Sequence, residues 1–460
     1  MVQSLLSASQ ANESLMESRR DFPMGMTEKV GTEFVHHYMP NASRITQVGK
    51  LLWQPTVTGD TNIIGVSTDY LMRQPQTLQV DASGWGTVSW TGLSISVPAD
   101  GLMQFLMHST TGSPGTWKFR LTNANGNQIT YEFRNSFMDL GQKTFQFWNP
   151  ATDANLVLAG GSNQVITQTG DFFDGSLMTG MYMEFNPAVA CSFYIDGLYT
   201  QTKIKPMICH TVDYSSNNVY TNFVPIWESK GWKAGFRVGG TDYNWNGYLT
   251  NLRLAQEKGF DIYNGSMTRQ NPITTLEDTY KEMGLSTNRA KSLGFHNPIL
   301  YSSGGNSLPQ SVAHRKEVAN AYGIKWCKAP NFYWKANVVG ANGLDQPLYT
   351  YVTGGTSYQS MQEHIAGLEY IGAFIVYFWH ECVNFYTYDV DGNITGLGSE
   401  ATSRGLVAGD EFTTNSTASG GSVWTEAMQA IAEYLDPKVQ AGDIDVVGIT
   451  ELDLIMRGLM

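Results

Sequence analysis

The chain has 460 residues, enough for two or three domains that each bury a core without disulfide or metal staples. Its formal net charge is −12, and its 29 Lys and Arg are dispersed with no basic block, which argues against a nucleic-acid partner held by clustered cations. Aromatic residues reach 12% while charged residues are only 15%, a balance that fits sugar-stacking surfaces and fits equally a large β-rich protein with aromatic cores.

The first residues, MVQSLLSASQANESLMESRRDF, lack the basic start and unbroken apolar run of a secretory signal, so no export by that route is expected. Residues 1–44 are polar and Met-rich with a brief amphipathic pattern. They read as an arm that docks on other proteins or on copies of the chain, with a flexible tail as the alternative.

Residues 45–205 switch to short runs of period-two alternation punctuated by Gly, Asn and Pro. WKFRLTN and QITYEF flank Asn125-Gly126, a hairpin signal because both turn residues tolerate positive φ. Further strands are expected at 77–80, 87–97, 101–107, 180–185 and 191–199, and the set predicts a jelly-roll β-sandwich. Trp85, Trp90 and Trp117 are candidates for a sugar platform or for core packing.

From residue 206 to 460 apolar strands alternate with helical stretches, the pattern of β/α units with parallel strands. Strands are expected at 207–212, 235–238, 260–263, 324–327, 374–379 and 444–447. Helices are expected at 219–230, 248–259, 310–322, 357–371, 424–435 and 450–459. The sum predicts a (β/α) barrel, complete or lacking a strand. The stretch from Ile371 to Trp379 is far too short to cross a bilayer, so no membrane span is expected. Cys191, Cys209, Cys327 and Cys382 form no CxxC pair and read as buried thiols.

Parallel barrels place active sites at the carboxyl ends of their strands. The polar residues there are His210 to Tyr214, Asn264 to Arg269, and His380-Glu381. In this setting the chain resembles a polysaccharide deacetylase of the NodB type, carbohydrate esterase family 4. Thr211-Val212-Asp213-Tyr214-Ser215 falls on the family's Thr-Phe-Asp-Asp-Gly strand end, and Glu228 to Val238 on the segment that follows it. Glu257 to Arg269 falls on "GhEigsHtvtH", Phe295-His296-Asn297-Pro298 on "fRpP", and Tyr377 to His380 on the late "LxH" motif. The resemblance covers about 255 residues, with the motifs in family order.

The resemblance implies a divalent metal held by one Asp and two His, an Asp base and a His acid. Carried over, the base falls on Asp213 and the acid on His380, while the metal ligands fall on Tyr214, Gly265 and Arg269. None of these three replaces a carboxylate or imidazole donor, so no metal cofactor is expected. The family Arg of "fRpP" is His296 here. The expected catalytic set is therefore Asp213, His380, His296 and Arg269, with Arg269 in the electrophilic role of the metal. The expected substrate-binding set is His210, Tyr214, Trp326, Trp379 and Asp242, and His210, Asp242 and His296 also stand as an alternative ligand set. Taken singly, these residues also have plain structural readings: His210 in the core, Asp213 capping a loop, Arg269 pairing with Asp261 or Glu257.

The expected function is binding of cell-surface polysaccharide by a virion-associated or surface protein whose deacetylase-like domain has lost its metal site. An active deacetylase with a rebuilt, metal-free site is the alternative, and a purely structural protein is a third.

Overall fold

A computed structural model of the chain describes residues 27–30, 33–36, 50–69, 74–98, 101–110, 115–133, 141–147, 149, 164–200, 204–213, 218–239, 248–296, 298–302, 308–309, 311–331, 348–352, 357–418 and 421–456. Within residues 1–44, Thr27–Val30 and Glu33–His36 pair antiparallel; the rest of this stretch lies outside the described residues.

Two antiparallel sheets follow. One has the order Gly141–Phe147, Met103–Ser109, Cys191–Thr200, Thr77–Ala82, Ile63–Ser67, with Leu51–Trp53 added along Cys191–Thr200. The other runs Gln164–Thr169, Gln128–Phe133, Gly115–Asn123, Leu177–Pro187, Gly86–Ser96. Alternation explains their packing: along Gly115–Asn123, Trp117, Phe119 and Leu121 are buried while Lys118 and Arg120 stay at the surface side. Those residues meet Phe105, Phe193 and Ile195 of the opposite sheet in one core, which makes the pair of sheets a sandwich. The expected hairpin turns at Ala124 to Asn127, where the Asn123 carboxamide oxygen accepts from the backbone N–H of Asn125 and Asn127 and Gly126 takes φ +81°.

Eight parallel strands build the second domain: β1 (Met207–Val212), β2 (Gly235–Val238), β3 (Asp261–Gly265), β4 (Leu300–Ser302), β5 (Trp326–Asn331), β6 (Leu348–Val352), β7 (Phe374–Trp379) and β8 (Asp445–Val447). Strands β2 to β7 lie side by side, β1 pairs with β7, and β1 also pairs with β2, so the sheet closes on itself. The closure is split along one strand. The upper half of β1 pairs with β2 (Thr211 with Gly235, Val212 with Phe236), while its lower half pairs with β8 (Met207 with Asp445, Cys209 with Val447). The chain thus forms a (β/α) barrel in which the eighth strand enters only at the base.

Helices α1 (Val224–Ser229), α2 (Leu249–Glu257), α3 (Ser286–Ser292), α4 (Val312–Tyr322), α5 (Tyr358–Ile371), α6 (Thr425–Ala441) and α7 (Ile449–Met456) surround it. Local chemistry sets their ends, as in α5, where the Ser357 hydroxyl accepts the Ser360 N–H and Gly372 closes the last turn at φ +59°. Strand parity sorts the core into two layers. Met207, Cys209, Leu300, Trp326, Phe374 and Val376 fill the lower lumen, whereas Ile208, Val212, Ile375, Tyr377 and Trp379 face the helices. Leu102 of the sandwich is buried within the helix-side cluster, and Ile166 packs on both cores, so an apolar seam joins the domains.

Candidate functional site

Above its apolar layer the lumen becomes polar, and one carboxylate organises it. Asp213 follows the end of β1, and its backbone N–H donates to the Trp379 carbonyl at 3.0 Å, which keeps it in line with β7. Its Oδ2 accepts from Arg237 Nη1 of β2 at 2.8 Å and from the Ser302 hydroxyl of β4 at 3.4 Å. Its Oδ1 accepts from Lys328 Nζ of β5 at 2.6 Å and from the Tyr263 hydroxyl of β3 at 2.5 Å. A carboxylate offers about four lone-pair positions, so these four donors fill it.

The amine is equally engaged. Lys328 Nζ donates to Asp213, to Thr211 Oγ1 at 3.2 Å and to Tyr263 Oη at 3.2 Å, and it lies 4.1 Å from the centre of the Phe378 ring. Thr211 in turn donates to the Tyr377 carbonyl. The members come from β1, β2, β3, β4, β5 and β7, so the cluster stitches the barrel mouth together. Burial alone would raise the Asp213 carboxyl, but the charges of Arg237 and Lys328 outweigh it and hold it well below the usual carboxylate range. Burial pulls the Lys328 amine down to about 8 against the attraction of Asp213. Burial, then the neighbouring Asp213 charge, pushes the Tyr263 phenol well above its ordinary value.

A second carboxylate fixes the turn after β3. Glu282 is fully buried in a widened helical stretch, Tyr280–Leu285, and accepts from the hydroxyls of Ser266 and Thr268 and from the backbone N–H of Thr268 and Arg269. This clamp holds Arg269 at φ +60°, a conformation rarely taken by a side-chain-bearing residue and one that marks a constrained site.

The structure brings two of the residues singled out by sequence together. Val212 pairs with Trp379, so Asp213 and His380 follow adjacent positions on neighbouring strands. The His380 ring meets Phe378 edge-on at 5.0 Å, and a Cβ on Gly421 would come within 2.5 Å of its Nδ1. Arg269 lies in the clamped turn above. The others go elsewhere. His210 has the opposite parity from Asp213 and points into the helix layer, fully buried, with Trp379 Nε1 donating to its Nδ1 at 3.3 Å and Trp227 edge-on at 4.7 Å. Burial pushes its pKa down to about 3. Trp379 shares that outward layer, so neither residue lines the mouth. Trp326 faces the lumen but at its floor, where Nε1 donates to Asp453 at 2.6 Å.

His296 precedes β4 and therefore lies at the amino-terminal side of the barrel, its backbone N–H on Gln256 Oε1, on the side away from Asp213. That placement corrects the catalytic role expected for it, because barrel chemistry is assembled at the other end. The arginine paired with Asp213 is Arg237 of β2. Tyr214 and Asp242 lie outside the described residues. In the sandwich, Trp90 and Trp117 are core residues, while Trp85 is 67% exposed. Arg237, Lys328, Tyr263 and Glu282 were missed from sequence. The available signal was a single charge inside a short apolar strand, in GFRV and in WCKAPN.

A His and Asp metal site is not assembled by the described residues, among which no three His, Cys, Asp or Glu come together. Gly265 supplies no donor, and a Cβ there would lie 2.9 Å from Arg237 Cδ. Asp213 is already filled by protein donors.

No family model and no curated protein matches this chain. Among solved structures the chain is similar to a family 4 carbohydrate esterase from Streptomyces lividans in complex with acetate (13% identity, TM-score 0.29, 52% of this chain and 90% of that one). It is also similar to a putative polysaccharide deacetylase from Mycobacterium smegmatis (11%, TM-score 0.37, 56% and 91%). A further likeness is to a CE4 family pseudoenzyme from Bacillus anthracis (12%, TM-score 0.33, 54% and 65%). The barrel assignment rests on the strand order and closure described above and not on these likenesses.

Proposed function

We propose that the chain is a polysaccharide-binding protein, pairing a jelly-roll-type sandwich with a deacetylase-like barrel that no longer performs metal-dependent hydrolysis. The observation that supports this most is the filled state of Asp213. A general base needs a lone pair for the incoming proton and an affinity for it, and this carboxylate has four donors already and is held far below the usual range. Trp85 is the exposed aromatic on which a sugar ring would stack. The reading extends to a virion-borne or cell-surface module attached through residues 1–44, which its presence in purified particles would test. No described helix is long and apolar enough to cross a membrane.

A second reading is favoured by one observation, the placement of Asp213 and His380 on adjacent strands. In it the mouth hydrolyses an acyl group without metal: His380 takes a proton from the attacking water and delivers it to the departing group, while Arg269 stabilises the developing oxyanion. One experiment separates the two: acetate release and glycan retention measured across a panel of acetylated polysaccharides. Retention without acetate supports binding. Acetate released by the parent protein and lost in His380→Ala establishes the enzyme.

A further inference from the structure

We propose that Arg237 is the chain's own replacement for the divalent ion of this type of site, so that the barrel mouth is built around a fixed organic cation and takes no metal. The inference rests on the deacetylase-like reading only for where a metal would sit; the packing is independent of it.

Three observations converge. The position of the first metal-binding His is Gly265, and the room its side chain would need is crossed by the Arg237 stem, with Cδ at 2.9 Å, Nε at 3.0 Å and Cγ at 3.1 Å from an ideal Cβ. Real Cβ atoms do not approach backbone-anchored groups this closely without a shift, and Arg237 is anchored at its far end by Asp213. The Arg237 stem, as placed, therefore calls for glycine at 265. Next, the guanidinium does to Asp213 what a bound cation would do: it fixes the carboxylate in its ionised form at the mouth of the barrel. Finally, Lys328 brings a second positive charge to the same carboxylate at 2.6 Å, so a divalent ion entering here would face two buried cations and no open oxygen on Asp213.

The arrangement also explains why the three ligand positions change together. Once an arginine occupies the space, an imidazole at 265 collides with it, and ligands elsewhere have no ion to hold.

The test uses the full-length protein, free of any affinity tag, in two arms. In the first, the protein is dialysed against Zn2+ or Co2+, its metal content is measured, and its melting temperature is followed with and without EDTA. Sub-stoichiometric metal and an unmoved melting temperature are expected. One metal held per chain, with a melting temperature that falls when EDTA removes it, overturns the proposal. In the second, Gly265→Ala is compared in the parent and in Arg237→Ala. The alanine should lower the melting temperature by roughly 5 °C in the parent and far less where the arginine stem is gone. An equal loss in both backgrounds overturns the pairing. The metal arm needs no variant, so it decides the matter even if Arg237→Ala does not fold. Neither arm reads acetate or glycan, so a failure here is separate from a failure of the binding reading.

Discussion

The two halves of the barrel lumen are built on opposite principles. The floor is apolar, with Met207, Leu300, Trp326, Phe374 and Val376 interdigitating, and it owes its stability to area removed from water. The mouth, toward the carboxyl ends of the strands, buries Asp213, Arg237, Tyr263 and Lys328. Charges taken from water cost several kcal/mol each before pairing returns part of it. The floor could lose a methyl group and relax; the mouth cannot lose a partner without leaving a bare charge.

That contrast is broken most severely by Asp213→Ala, which strands two buried cations and should cost about 3–5 kcal/mol in denaturant unfolding. At the floor, Trp326→Phe keeps most of the ring but leaves Asp453 without its indole donor, and about 1–3 kcal/mol should be lost. Replacing the whole cluster at once, Asp213→Leu with Arg237→Met and Lys328→Met, should cost less than Asp213→Ala alone, because no charge is then left unpaired. If the triple variant is the less stable of the two, the mouth is not the self-contained ionic unit described here.

Acid sharpens the same comparison. His210 has its folded pKa lowered to about 3 from an ordinary 6.5, so its contribution is fully present above about 6.5 and is lost as pH falls toward 3. Asp213 is also depressed, so its contribution is present above about 3.9 and is lost on further acidification. Melting curves across this range should show an early decline that His210→Gln removes and a later one that it leaves. The smallest structural effect is expected from Trp85→Ala: stability within about 0.5 kcal/mol of the parent, with glycan retention weakened if Trp85 is the stacking residue.

Much of the fold was written in local pattern. The apolar runs MICHTV and FIVYFW gave β1 and β7 with their ends in place, and the Asn125-Gly126 turn gave its hairpin. Three-residue β4 and the strand Leu348–Val352 were not expected from the sequence. The site was only half legible. Asp213 and His380 follow recognisable strands, but parity within those strands already excluded His210 and Trp379, three residues and one residue away respectively. His296 sat in family order along the chain, yet order says nothing about which end of a barrel a loop occupies. Lys328 and Arg237 were invisible to a search of strand ends because they lie within strands, and their meaning comes from a carboxylate more than twenty residues distant from the nearer of them.

The split edge of β1 has a consequence for how the protein is made. On the edge away from β7, the lower half of β1 is paired by Asp445–Val447, and the seam is fastened by Asp445 N–H on the Pro206 carbonyl and by the Lys205–Asp445 ion pair at 2.6 Å. During synthesis the mouth can close when β7 emerges, but the base stays unsealed until some seventy residues later have left the ribosome. In that interval the exposed lower edge of β1 is a free template for strand pairing, the point at which a chaperone or a misplaced neighbour would act first.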